Sequence, residues 1–157
     1  MNLARTLNQL GGYVQDEVSA RRRTLRLLEE QEQGVRNNDP RATAEAVRKL
    51  EREMSTNTDR ARRRARLLDE LAREWSVSAD LLTLGSIVER GGAAAAHIAP
   101  LRDELRSITA AVIHKNRLLG SLIGMHRRVI RDVIECVLED EKGAVLNGAG
   151  TLIDAEA

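Results

Sequence analysis

The tetrapeptide Asn37-Asn38-Asp39-Pro40 decides how this chain folds. It ends one helix and starts another: Asp39 is a preferred N-cap, and Pro40 takes the first helical position, where its missing N–H is harmless. Before it, Leu3, Leu7, Leu10, Val14, Val18, Leu25, Leu28 and Val35 keep near-heptad spacing, which predicts a helix over about 3–35, weakened locally by Gly11-Gly12. After it, Val47, Leu50, Met54, Asn57, Ala61, Arg64, Leu68, Leu71 and Trp75 alternate by threes and fours, which predicts one unbroken helix to Trp75. So short a connection makes the two an antiparallel hairpin. Folding it about Asn37 and Asn38 brings Leu25 near Leu50, Leu28 near Val47, Val14 near Ala61 and Leu7 near Leu68, and places Glu53 as an ion-pair partner of Arg21 in the seam.

Trp75-Ser76-Val77-Ser78 breaks the pattern. Ser78 is placed to cap a short connector helix carrying Leu81, Leu82, Leu84, Ile87 and Val88, which Gly91-Gly92 stops. The last helix starts within 93–100, with Pro100 in its first turn or at a kink, and runs to about Asp140. The expected fold is all-α: an antiparallel long-helix hairpin, a short connector helix and a long C-terminal helix, forming an elongated coiled-coil-like bundle. A single helical-bundle domain is expected over 1–141 and a flexible C-terminal tail over 142–157.

Composition agrees with that class. Hydrophobic residues make up 42% of the 157 and charged residues 31%, enough to fill and coat one domain. Phe is absent and Tyr13 and Trp75 are the only aromatics, so a sheet is poorly supported. Basic residues exceed acidic ones by only one, which leaves no bulk field to hold nucleic acid or an anionic membrane. Cys136 stands alone, excluding an internal disulfide framework and fitting a reducing compartment. The first residues lack the apolar core of a signal peptide, and no run approaches the roughly 20 apolar residues of a membrane span. A soluble cytoplasmic protein without membrane insertion is expected.

Catalytic signatures are missing. None of His97, His114 and His126 has Glu three residues before it, as a ferritin-like di-iron site would need. His-Glu-x-x-His, Cys-x-x-Cys, the phosphate-binding Gly-x-x-x-x-Gly-Lys motif and Gly-x-Ser-x-Gly are likewise missing. The expectation is a protein that is not an enzyme and uses no metal or cofactor. The run Arg60, Arg62, Arg63, Arg64, Arg66 has no stacking aromatics beside it and is flanked by Asp59, Asp69 and Glu70. It reads as a solvated helix face, with no nucleic-acid partner. Cys136 reads as a small buried or interfacial hydrophobe, and His126 as a packed or partner-facing imidazole.

The last helix changes character midway. Leu101, Leu105, Ile108 and Val112 form a narrow stripe, but past Asn116 the apolar positions come in pairs. The candidate partner-binding residues are Leu118, Leu119, Leu122, Ile123, Met125, Val129, Ile130, Val133, Ile134, Val137 and Leu138. A helix of about 60 to 70 Å, set against hairpin helices of about 50 Å, overhangs at its C-terminal part if it begins near the open end of the hairpin. Three uses of so wide a face remain open: a central core helix, homodimerisation, and docking of another protein's helix.

Several segments together resemble the FlgN-like family of flagellar export chaperones, which serve the hook-filament junction proteins. Leu27-Leu28-Glu29-Glu30-Gln31, then Asn38-Asp39, then Val47-Arg48-Lys49-Leu50-Glu51-Arg52-Glu53-Met54 is similar to that family's leucine-rich helix, acidic turn and Lys-Glu-rich second helix. Asn116-Arg117-Leu118-Leu119, with Ser121 one turn on, is similar to its Asn-x-x-Leu signature, and the Gly148–Ala155 segment to its C-terminal tail. The chain departs from the pattern at Ile113, where the family often has a second Asn, and in lacking a tail Tyr. The resemblance implies a cytoplasmic type III export chaperone that binds hook-associated flagellar proteins through the last helix and keeps them export-competent. It also implies docking to the export gate, for which no residues stand out. The alternative is a structural coiled-coil protein that homodimerises through the last helix, without cargo.

Overall fold

The computed structural model describes residues 3–150, with side chains as far as Cys136. It is all-α: α1 (Leu3–Arg36), α2 (Pro40–Ser55), α3 (Asn57–Trp75), α4 (Leu84–Gly91) and α5 (Ile98–Gly150), with 3-10 turns at Ala79–Leu81 and Gly92–Ala95. It divides into two compact units, Met1–Arg117 and Leu118–Ala157. The α5 backbone also continues through Lys142 to Gly150, where a tail is expected from the sequence; 151–157 lie outside the described residues.

The hairpin turn is built as its sequence suggests, with one addition. Asn38 takes the left-handed backbone at φ 53°, and its N–H and that of Asp39 return to the carbonyls of Val35 (3.1 Å) and Gly34 (2.8 Å). That is the Schellman closure of a helix, with asparagine in the place usual for glycine. Asp39 also opens α2, because its carboxylate accepts from the Ala42 N–H at 2.9 Å. One residue thus serves both helix ends, which is why the turn is so short. Helices α1 and α2 cross closely beside it: a Cβ added to Gly34 would lie 2.6 Å from Thr43 Oγ1 and 2.9 Å from its backbone nitrogen.

The second arm of the hairpin is two helices rather than one. Ser55 Oγ donates to the Arg52 carbonyl and Thr56 Oγ1 to that of Glu53, at 2.6 and 2.8 Å. Hydroxyls competing for helical carbonyls in a Ser-Thr-Asn-Thr run interrupt the ladder at Thr56. The inward seam also differs. Met54, Asn57, Ala61 and Arg64 are exposed, whereas Ala46 and Leu67 are buried and Glu53 and Arg60 half-buried. The seam therefore runs one residue earlier, at heptad spacing through 46, 53, 60 and 67.

Charge pairing explains this shift. Arg60 Nε lies 3.0 Å from Glu17 Oε1 and its Nη1 3.2 Å from Glu53 Oε1, while Arg23 holds Glu53 through two bonds of 3.1 Å. Glu53 is thus paired with Arg23 and Arg60; Arg21 turns instead to Glu17, at 3.6 Å. Lys49–Glu30 and Arg63–Asp16 continue the antiparallel pairing, four residues from the expected register. Arg63 also lies over the Tyr13 ring, 5.8 Å from its centroid, so this part of the arginine run is structural.

The apolar core fills the open end of the hairpin. Leu7, Leu10 and Val14 of α1 and Leu67 and Leu71 of α3 meet Leu82, Ile87, Ala95 and Ile98. The connector closes that end, although its cap is not Ser78, whose hydroxyl binds the Asp80 carboxylate. Thr83 caps α4 in a capping box with Ser86. Helix α5 starts here, with Pro100 in its first turn, where no helical N–H bond is lost. Its first part runs parallel to α1: Ile98 is beside Gly11, Glu104 binds Arg22, and Lys115 Nζ lies 2.7 Å from Glu32.

Glycine substitutions separate tight from open positions. Gly34→Ala is expected to lower the unfolding midpoint, at a cost of about 1–3 kcal/mol from overpacking against the Thr43 backbone. Gly124→Ala, where nothing lies within 4 Å of the added methyl, gains helix stability of about 0.5–1 kcal/mol; chemical denaturation followed by circular dichroism reads both. Arg60→Met leaves Glu17 buried with only the 3.6 Å Arg21 contact, so a loss of about 3 kcal/mol is expected in the same assay.

Candidate functional site

The candidate face lies on the second half of α5. At about 100° per residue, its apolar positions from Met125 round to Ile134 cover about 180° of the helix, against about 100° for an ordinary core-facing stripe. Met125, Val129, Ile130, Val133 and Ile134 are each more than half exposed, and Leu118 is 40% exposed. Leu122 and Ile123 are half-buried, as is His126, while Leu119 is 3% exposed and so already covered. Cys136 is exposed on the same face rather than buried. Side chains of Val137 and Leu138 lie outside the described residues.

The narrow stripe of the first half behaves differently. Leu101, Leu105, Ile108 and Val112 are half-buried, and Leu101 and Leu105 pack against the core. Within that first unit, a groove of about 340 Å³ opens where α2 gives way to α3. Its walls are Leu28, Leu50, Met54, Val112 and Ile113, with Arg21, Glu53, Asn57, Arg60 and Asn116 among its polar groups. Asn116, which begins the Asn-x-x-Leu segment, therefore faces a structural junction. A second groove, of about 650 Å³, runs beside the start of α4 past Arg102, Leu105 and Arg106.

Three carboxylates in the first unit are tuned by cations, Glu45 through a hydrogen bond from Arg48 within α2 and two others across helices. Hydrogen bonds from Lys115 and then Arg36 hold Glu32 below the ordinary glutamate range, and one from Arg23, aided by Arg60, does the same for Glu53. These groups knit the hairpin to α5 and to itself. Among the described residues no group of three or more His, Cys, Asp or Glu is arranged to hold a metal ion. No described helix is long and apolar enough to cross a membrane. In comparisons with known proteins, no family model, curated protein or solved structure matches the chain.

Sequence periodicity locates this apolar face and its borders: Arg127 and Arg131 flank it on one side and Arg128 on the other. What the spacing misses is that Leu119 is covered.

The lowered carboxylates set a pH dependence. Their folded values lie below their unfolded ones, so the unfolded chain binds more protons in acid. The stability they contribute is complete above the ordinary glutamate value of about 4.5 and is lost as pH falls through their lowered values. The unfolding midpoint should fall in that acid window, and less steeply for Glu53→Gln than for the parent chain.

Proposed function

We propose that this protein is a cytoplasmic flagellar export chaperone that holds hook-associated subunits on the second half of α5. The observation that carries the reading is the half-circumference apolar face with Met125, Val129, Ile130, Val133 and Ile134 open to solvent. Family-like segments around Asn38-Asp39 and Asn116-Arg117-Leu118-Leu119 supply the cargo class.

The mechanism is substitution of a neighbour. A subunit awaiting export exposes an amphipathic helix that would otherwise aggregate, and α5 covers its apolar side. Burying the open parts of Leu118, Met125, Val129, Ile130, Val133 and Ile134 yields about 1 kcal/mol each, about 6 kcal/mol in all before the cost of association. Such a hold protects the cargo yet permits release at the export gate. No bond is made or broken, and the protein acts by binding alone.

Pull-down of hook-associated subunits on the immobilised chain tests this. Capture is expected, and Ile130→Asp combined with Val133→Asp should reduce it at least about tenfold while circular dichroism shows the helices intact. No capture, or capture indifferent to the double substitution, sinks the proposal. Light scattering over a concentration series reads the rival: a stable dimer with this face buried makes the protein a structural coiled coil.

A further inference from the structure

The charges bordering the apolar face of α5 are unevenly shared. At about 100° per residue, Arg127 and Arg131 border it on the side of Ile123, Ile130 and Ile134; Arg128, Asp132 and Glu135 border it on the side of Met125 and Val129. All five flanking residues are exposed. Among the described residues neither Arg127 nor Arg131 has an ion-pair partner, in contrast to Arg22, Arg23, Arg60 and Arg63. Arg127 and Arg131, one turn apart, repel each other mildly in the free helix; Glu135, one turn beyond Arg131, offsets part of this for Arg131 but lies two turns from Arg127. An anionic neighbour relieves that repulsion.

We infer that the helix held on this face has an acidic border: Asp or Glu residues one turn apart, flanking its apolar stripe and lying opposite Arg127 and Arg131. The inference rests on the docking role proposed above and adds the polarity of the partner. Apolar contact supplies most of the affinity, while the charged border selects which helix binds and which way it lies.

A second copy of the chain fits the borders less well. In an antiparallel pair, the two-fold axis sets each border against itself, so Arg127 and Arg131 would meet their own copies. In a parallel pair they would meet a border of mixed sign, Arg128 with Asp132 and Glu135. An acidic border satisfies both arginines and brings no like charge against them.

Two synthetic helical peptides with identical apolar faces, one with Glu and one with Lys along the border, test the inference against the full chain by fluorescence anisotropy. The Glu peptide is expected to bind about tenfold more tightly at low salt, with the preference shrinking as salt is added. In the Arg127→Glu, Arg131→Glu double variant, checked for helicity by circular dichroism, the preference should reverse. Equal binding of the two peptides, or a preference that survives the charge reversal, overturns the acidic border while the docking face stands. Failure of both peptides to bind overturns the border and the docking face together. A stable dimer that blocks both peptides assigns the face to a second copy and likewise overturns the inference.

Discussion

The first unit depends on a chain of charges running through a seam that would ordinarily be apolar. Glu17, Arg60, Glu53 and Arg23 are linked in sequence, and Arg60 touches partners on both α1 and α2 while itself belonging to α3. Taking a carboxylate such as Glu17 out of water is costly unless cations meet it, so these side chains tolerate little sliding. Their effect is to specify register. Helices of 16 and 19 residues separated by a break at Thr56 would otherwise find their alignment on α1 independently. The ion pairs place them on α1 as one arm.

Apolar burial and backbone geometry act at the two ends of that arm. At the closed end, the Schellman bonds of Asn38 and Asp39 and the close Gly34–Thr43 crossing fix where the chain reverses. At the open end, Leu7, Leu10, Leu71, Ile87 and Ile98 are wholly buried and supply most of the hydrophobic driving force. Charge specificity in the middle and burial at one end explain a seam that heptad spacing describes but hydrophobicity does not.

That difference marks what was legible in the sequence. Asp39-Pro40 acts locally, through a cap and a fixed φ, so the hairpin and its turn follow from four residues. Helix α1 likewise follows from its spacing, to within a residue of its end. The seam of the second arm does not, because hydropathy favours Met54 and Ala61 over Glu53 and Arg60, whose inward turn depends on partners far away in sequence. Thr56 looked like an ordinary helical residue; its hydroxyl decided otherwise. On α5 the paired apolar positions showed a broad face, but the burial of Leu119 depends on packing that the spacing does not show.

The parallel course of α1 and the start of α5 has a consequence for how the chain comes together. Arg22 and Glu104 are separated by 82 residues, and Glu32 and Lys115 by 83. The hairpin contacts on either side of Asn37–Pro40 are far more local, so their loop-closure entropy is smaller. During synthesis, α1, α2 and α3 are all made before Ile98 and Leu101 exist to cover Leu7 and Leu10. The hairpin is therefore the natural early unit, and the beginning of α5 is the late piece that seals its greasy end.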